Sequence, residues 1–344
     1  MDYIKVLKRA WRTTWRYPAL WVFGIILAIT TARNSGGGGG GGAPSGGEEA
    51  SMPPFNGEFD IPRAWTEIPG QAWAIGAIVV GGLICLGLFL ALAFLVARFV
   101  ATTALIRMVD GYEETGERTS VGGGFRLGWS PVALRLFLIN LVVKLPLAVV
   151  MVALLLVPIG LLVLSVLAVE RLSNFVGILG IVASAGMFML FILLAIAIGV
   201  AISLLLNFFH RRCAIEGEGV WESITNGFAF VKRHLKDAVL MWLIMVGIQI
   251  GLAIVMIPVV LTLLVAAAIL VGLPSILAGV VAALLVGGPA VWLLVALLGL
   301  PMFLLMIILP ITFIRGVFEV FTSTTWTVTY REMRALEGVT TAVA

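Results

Sequence analysis

Five long apolar runs constrain the fold of this 344-residue chain more than any other feature of its sequence. They cover residues 72–97, 132–169, 175–209, 238–271 and 275–314. Each run is longer than the roughly 20 residues that an α-helix needs to cross the ~30 Å hydrocarbon layer of a bilayer. With 61% hydrophobic and 12% charged residues and a mean hydropathy of +1.14, the chain carries more apolar surface than a soluble core can bury. We therefore predict an all-α, polytopic helical membrane protein.

A shorter apolar run, residues 19–31, follows the basic N-terminal segment. Its length lies within the range of about 7 to 15 residues that is typical of a signal-peptide core, so a cleaved signal is one interpretation. The other is a retained span, because residues 1–18 predict a basic amphipathic helix with Trp11 and Trp15 on one face. Such helices lie in the headgroup region of a membrane. Pro18 also suits the first turn of a new helix, and we expect a retained first span.

The distribution of basic residues indicates the orientation of the chain. One set of segments holds five, four, five and three Lys or Arg residues, seventeen in total: 1–18, 98–131, 210–237 and 315–344. The opposite side holds three, namely Arg33, Arg63 and Arg171. Because basic residues stay inside, we expect both termini in the cytoplasm and the protein in the cell inner (plasma) membrane. Residues 315–344 are then a cytoplasmic C-terminal segment, and residues 32–71 an external, Gly-rich flexible loop.

Three blocks of similar length make up the apolar part of the chain, at residues 19–97, 132–209 and 238–314. Successive basic segments are expected on the same side, so each block must cross the membrane an even number of times. We predict about six transmembrane helices as three hairpins, each preceded by an interfacial amphipathic helix, within a single transmembrane domain, residues 19–314. The alternative to an internal repeat is an ordinary six-helix protein with aromatic anchors before its spans.

Two of the segments that precede the blocks carry a family resemblance. They read "AWRTTWRYPALWVFG" and "GFRLGWSP". With the three-hairpin layout, they resemble bacterial six-span membrane proteins of largely unknown function, including the membrane domain of glycerophosphodiester phosphodiesterases and the YciC-like inner-membrane proteins. The resemblance implies a membrane domain without a settled activity. The soluble catalytic domain of the phosphodiesterases has no counterpart after Arg331, where thirteen residues remain, so no hydrolytic activity is implied.

Lys144 is the most conspicuous polar residue, because it lies inside an apolar run. A cation at the centre of a membrane costs about 3 kcal/mol or more unless it is paired or hydrated. Asn140 lies one turn earlier, and Gln249 occupies the corresponding depth in the third block. These three side chains predict an internal polar pocket. Alternatively, Lys144 lies near the inner boundary and extends its ammonium group to the headgroups.

No motif in the sequence indicates catalysis or a metal site. His210 and Cys213 have helical spacing, but no further ligands complete a tetrahedral site. The "VGGGF" at residues 121–125 lacks the Lys-Ser or Lys-Thr of a phosphate loop and predicts a turn or a loosened interfacial helix. The hydroxyl-rich residues 321–334 predict an exposed helix or strand at the interface. We expect no catalytic residue, no cofactor and no metal, and therefore not an enzyme.

These features favour a non-enzymatic integral membrane protein, a lipid-interacting scaffold or envelope-maintenance factor. Its expected partners are anionic lipid headgroups and an unidentified membrane or envelope protein, with no nucleic acid. The residues expected to contact anionic lipid are Lys5, Arg9, Arg12, Arg16, Lys232, Arg233 and Lys236. The alternative is a transporter or permease with a polar pathway near Lys144 and Gln249.

Overall fold

The computed structural model describes residues 1–32, 70–171, 174–286 and 290–343. In this part of the chain every regular element is helical, which confirms the all-α prediction. The helices are α1 (Tyr3–Arg16), α2 (Ala19–Ala32), α3 (Gly70–Thr115), α4 (Val121–Gly128), α5 (Pro131–Arg171), α6 (Asn174–Arg211), α7 (Val220–Arg233), α8 (Leu235–Ala267), α9 (Leu273–Val286) and α10 (Ala290–Val343). A π-helical turn, Arg212–Glu216, extends α6, and a second one, Ala268–Gly272, joins α8 to α9. Nearly all of the predicted Gly-rich loop lies outside the described residues.

Within the described ranges, five helical stretches are long and apolar enough to cross a membrane. They are Gly76–Thr115, Pro131–Leu167, Gly177–Glu216, Leu235–Leu285 and Val295–Glu337. A shorter apolar helix, Ala19–Thr31, corresponds to the predicted first span. The five stretches support the assignment to a membrane protein, whereas the total of six spans and their pairing into hairpins stay predictions.

Three short helices, α1, α4 and α7, each precede an apolar helix, and we call them the three short helices. Each begins with a hydrogen bond to a side chain. The Asp2 carboxylate accepts from the backbone N–H of Lys5 at 3.1 Å, and Ser120 Oγ accepts from the N–H of Gly123 at 3.3 Å. At α7, the Glu222 carboxylate accepts from the N–H of Gly219 at 3.1 Å. Each bond satisfies a backbone donor at a helix start. The "VGGGF" segment is therefore the first part of the short helix α4.

The same three helices also end alike, and each is followed at once by an apolar helix. The C-terminal caps are Tyr17, Trp129 and His234, and the backbone N–H of each donates to the carbonyl four residues earlier, at 3.0, 2.7 and 3.2 Å. A tight turn then leads into α2, α5 or α8. This recurrence of short helix, turn and apolar helix agrees with the predicted order of elements in the repeat.

The chain forms two compact units, residues 29–98 and the remainder. In the first unit, the described residues 76–93 of α3 are all exposed. Their side chains are almost entirely apolar, which suits contact with lipid tails.

In the larger unit, the buried side chains concentrate near the basic segments, in what we call the basal layer. The basal layer comprises α1, α4, α7, the last turns of α3 and α6, the first turns of α2, α5 and α8, and the second half of α10. Most apolar side chains of α5, α6, α8 and α10 outside this layer are exposed. At ~1.5 Å per residue, α5 and α6 are about twice as long as the hydrocarbon layer is thick. Their ends therefore have the length to build a layer beside the membrane.

The second half of α10 lies at the centre of the basal layer. Val320, Trp326 and Tyr330 are buried there, together with the hydroxyl-bearing Thr324, Thr325, Thr327 and Thr329. The prediction that residues 321–334 form an exposed interfacial segment is therefore wrong. A helix can bury threonine when the hydroxyl bonds to a carbonyl one turn earlier. Thr327 donates in this way to Ser323 at 2.9 Å, and Thr329 donates to Thr325 at 2.8 Å.

Two glycines allow α2 and α10 to cross with their backbones in close approach. A β-carbon added to Gly24 would lie 2.2 Å from the carbonyl oxygen of Gly316. A β-carbon added to Gly316 would lie 2.9 Å from backbone atoms of Ile25. Small residues at a helix crossing are typical of membrane helices, whose association depends on close contact.

Candidate lipid-contact site

An open groove of about 640 Å³ runs along α1. Its walls combine apolar side chains with three cations and contain no carboxylate. The lining residues are Leu7, Lys8, Trp11, Arg12, Trp15, Arg16, Ile248 and Phe321. Its volume lies within the range of about 300 to 1,000 Å³ that is typical of sites for a single small ligand.

The groove follows from three distinct faces on α1, since successive residues of an α-helix are separated by about 100°. One face buries Val6, Ala10, Thr13 and Thr14 against the rest of the basal layer. A second carries Ile4, Trp11 and Trp15, which are 66%, 56% and 50% exposed. A third carries the basic residues. The sequence predicted the aromatic and basic faces but missed the buried one, because its small side chains give a weak hydrophobic signal.

Polar contacts of residues outside the groove lining hold α1 in place. The guanidinium of Arg9 lies 2.5 Å from the Glu113 carboxylate, which also accepts a hydrogen bond from the Thr13 hydroxyl at 3.3 Å. The Tyr3 hydroxyl donates to the Asp237 carboxylate at 2.5 Å. This hydrogen bond is the main reason that the pKa of Tyr3 is raised. α1 is thus fastened to α3 and α8 by groups that do not line the groove.

A ladder of aromatic rings continues from the groove along α2 and α10. Trp11 contacts Phe321 and Trp15 with ring centroids 5.8 and 5.6 Å apart, and Trp15 contacts Trp21 at 5.5 Å. Trp21 in turn lies 5.7 Å from Phe313. All four contacts are edge-to-face, an arrangement that stabilises aromatic pairs. The Trp21 indole N–H donates to the Thr14 carbonyl at 2.8 Å, which fixes its ring.

The other two short helices also expose aromatic rings. On α4 and its cap, Phe125 and Trp129 are exposed, and Trp129 has 73% of its surface accessible. On α7, Trp221 is 70% exposed and Phe228 is exposed as well. Tryptophan is enriched at membrane–water interfaces, where its ring reaches both apolar and polar surroundings. All three short helices therefore carry the side chains expected of interfacial helices.

The residues predicted to contact anionic lipid have different surroundings. Arg12 and Arg16 line the groove, Lys5 is exposed outside its lining, and Arg9 pairs with Glu113. Lys232, Arg233 and Lys236 are exposed around the junction of α7 and α8. Lys8, Ile248 and Phe321 line the groove but were not predicted. The spacing of four residues between Lys8 and Arg12 could have predicted that Lys8 lies on the basic face. The contributions of Ile248 from α8 and Phe321 from α10 could not have been predicted from the sequence of α1.

The internal polar pocket inferred from Lys144, Asn140 and Gln249 stays a prediction. Lys144 and Gln249 are exposed on α5 and α8, and Asn140 is half-buried. The enclosed pocket was inferred from equal depth in two blocks, but α5 packs mainly against α6 whereas α8 packs mainly against α10 and its own extension.

A buried polar cluster connects α6, its π-helical turn and α10. Arg211 is 3% exposed and donates to the carbonyls of Asn207 and Ser323 at 2.6 and 3.1 Å. Its neighbour Arg212 pairs with the carboxylates of Glu216 and Glu218 at 2.9 and 2.8 Å. Glu216 also accepts a hydrogen bond from the Tyr330 hydroxyl. The carboxylates of Glu216 and Glu218 are thus paired, and the contacts of Arg211 and Arg212 hold the helix ends together.

Burial alone would raise the pKa of Glu218, but hydrogen bonds from Arg212 and Asn226 and the charge of Arg212 lower it overall. The carboxylate thus stays ionised in the folded protein.

Elsewhere, no group of three or more His, Cys, Asp or Glu side chains suited to a metal ion occurs among the described residues. Cys213 is buried and Cys85 exposed, and both are free thiols.

Comparison with models of protein families identifies a family for this chain. The model of DUF7544, a family of unknown function, matches residues 2–325. The chain belongs to the DUF7544 family. The matched range includes α1 and every other residue of the groove, so the groove lies within the family's shared region. No curated protein and no solved structure matches the chain.

Proposed function

We propose that this DUF7544 protein is a non-enzymatic, lipid-interacting membrane scaffold that holds anionic phospholipid headgroups along α1. The observation that carries the proposal is the groove, in which Lys8, Arg12 and Arg16 lie beside the exposed rings of Trp11 and Trp15. Cations near a membrane surface attract anionic headgroups, each contributing about 1 kcal/mol. Tryptophan rings beside them suit the boundary between headgroups and acyl chains.

The proposal includes an orientation. The basal layer lies on the cytoplasmic side of the inner membrane, with both termini there, because the seventeen basic residues of its segments outnumber the three on the other side. Six spans follow if α2 is a retained first span. The burial of Leu20 and Phe23 in the basal layer supports retention, since these α2 residues contribute to its core.

The basal layer explains how such a scaffold works. Its buried core holds α1, α4 and α7, and ion pairs add to the attachment of α1 and α7, so that three aromatic-bearing helices meet the membrane surface as one unit. The resemblance to six-span inner-membrane proteins is in keeping with a membrane domain of this kind. We keep a single proposal, because no observation on Lys144 and Gln249, which are exposed on α5 and α8, favours a transporter. Among the described residues, no surface indicates a particular protein partner.

The test is selective lipid retention by the full chain. Purified protein in detergent is exposed to equal amounts of phosphatidylglycerol and phosphatidylcholine with the same acyl chains, and bound lipid is counted by native mass spectrometry. We expect a preference for phosphatidylglycerol that falls about fivefold in Arg12→Gln. Lys5→Gln is the matched control: the sequence also predicts a lipid contact for Lys5, but the exposed Lys5 lies outside the groove lining, so the proposal expects its loss to leave the preference unchanged. Equal losses in both variants, or no preference in the wild-type protein, would contradict the proposal.

A further inference from the structure

We infer that the groove of α1 selects an anionic lipid whose headgroup carries two phosphates. This inference rests on the proposed function and names the ligand class of the same site. It begins from the positions of the three cations. Lys8, Arg12 and Arg16 follow one another at intervals of four residues and all line the groove.

Lys8, Arg12 and Arg16 form a row of cations, and this row is longer than one phosphate group needs. Residues four apart on a helix are neighbours, about 6 Å apart along its surface, so adjacent pairs of the row can hold one phosphate between them. The two ends, Lys8 and Arg16, are separated by about 12 Å along the helix axis. A headgroup with one phosphate is matched to one adjacent pair. Two phosphates joined by a short carbon bridge match both pairs, with Arg12 shared between them.

The charges of the row are available for a ligand. Lys8, Arg12 and Arg16 are exposed and take part in none of the ion pairs found among the described residues, and no carboxylate lines the groove. Arg9 on the same helix differs, because Glu113 and Glu332 lie 2.5 and 3.8 Å from its guanidinium. α1 therefore uses Arg9 for its own attachment and presents three uncompensated cations along the groove.

The apolar wall identifies the ligand as a lipid instead of a soluble phosphate. Trp11 and Trp15 line the groove together with Ile248 of α8 and Phe321 of α10, and Trp11 contacts Phe321, which gives the groove a surface suited to acyl chains. The aromatic ladder braces this wall through Trp21. The combination of a row of cations and an apolar wall matches the two parts of a phospholipid, and charge complementarity favours the form with two phosphates.

The inference is tested by competition between two anionic lipids with the same acyl chains. Phosphatidylglycerol carries one phosphate, and a glycerol-bridged bisphosphatidyl lipid carries two. They are offered to the full chain in detergent at equal phosphate concentration, and bound lipid is counted by native mass spectrometry. We expect the two-phosphate lipid to be retained about fivefold better, the effect of one additional cation contact. Lys8→Gln and Arg16→Gln should each abolish this preference, Arg12→Gln should weaken binding of both lipids, and Lys5→Gln should change neither.

Three results would overturn the inference. Equal retention of the two lipids, with phosphatidylglycerol still preferred over phosphatidylcholine, would refute it and leave the proposed function standing. No preference for either anionic lipid over phosphatidylcholine would refute both. Complete displacement of the lipid by excess inorganic pyrophosphate would show that the groove recognises phosphate without an acyl chain, and the lipid would be the wrong ligand.

Discussion

The Arg9 guanidinium lies 2.5 Å from the Glu113 carboxylate, whose side chain is only 4% exposed. Removing one partner of a buried ion pair leaves the other charge uncompensated. Because Arg9 is itself about half exposed, we expect Arg9→Gln to lower the free energy of unfolding by only about 1–2 kcal/mol. The double variant Arg9→Gln with Glu113→Gln should recover part of this loss. Thermal unfolding in detergent measures both effects, and Lys5→Gln is the control. An equal loss of stability in Lys5→Gln would show that the loss in Arg9→Gln does not come from the ion pair with Glu113.

The crossing of α2 and α10 predicts a steric effect at Gly24. Gly24→Ala would place a β-carbon 2.2 Å from the Gly316 carbonyl oxygen, so the two helices must separate. We expect a loss of stability of about 1–3 kcal/mol. Gly251→Ala on α8 is the control, because nothing lies within 4 Å of the added carbon, and alanine is the better helix former. The comparison is made by thermal unfolding, and equal stability of both variants would refute the close crossing.

The lowered pKa of Glu218 predicts an acid-sensitive contribution to stability. A carboxylate whose folded pKa lies below its ordinary value of 4.5 stabilises the fold fully above that value. The contribution is lost as the pH falls through the folded pKa, because protonation removes the ion pair with Arg212. The melting temperature should therefore fall less steeply below about pH 4.5 in Glu218→Gln than in the wild-type protein. Glu114→Gln, at an exposed position, is the control. Parallel curves for all three proteins would contradict this assignment.

Two buried threonines of α10 are expected to change the stability in opposite directions when each is replaced by valine. Thr324 is buried and its hydroxyl has no hydrogen-bond partner among the described residues. Thr324→Val should therefore stabilise the protein by about 1 kcal/mol, since an unpaired hydroxyl is costly to bury. Thr327→Val loses the hydrogen bond to Ser323 and should destabilise by a similar amount. Thermal unfolding of the pair distinguishes them. Destabilisation by both variants would show that the Thr324 hydroxyl has a partner.

Sequence reasoning succeeded where hydropathy alone decides the structure. The apolar runs became helices, and α1 and α7 formed directly before apolar helices as expected, because a run of apolar residues has no other stable form in a membrane. The tight turns at Tyr17, Trp129 and His234 repeat the order inferred from the preceding segments.

Prediction from the sequence failed where the same residue type occurs both buried and exposed. Ala10 is completely buried although its small side chain contributes little to an apolar stripe. Thr325 and Thr329 suggested an exposed surface because their hydroxyls are polar, yet α10 passes through the basal layer and Thr329 satisfies its hydroxyl within the helix. Ile248 and Phe321 line the groove from α8 and α10, and no pattern within α1 indicates these contacts.

The central claim is that the groove of α1 holds an anionic phospholipid, and site-resolved photo-cross-linking tests it most directly. A phosphatidylglycerol with a photoreactive group near the headgroup is bound to the full chain, irradiated, and located by peptide mass spectrometry. We predict that adducts concentrate on residues 7–16 and around Ile248 and Phe321, and that Arg12→Gln reduces them whereas Lys5→Gln does not. Adducts spread over the exposed apolar helices in proportion to their surface, and unchanged by Arg12→Gln, would contradict the claim.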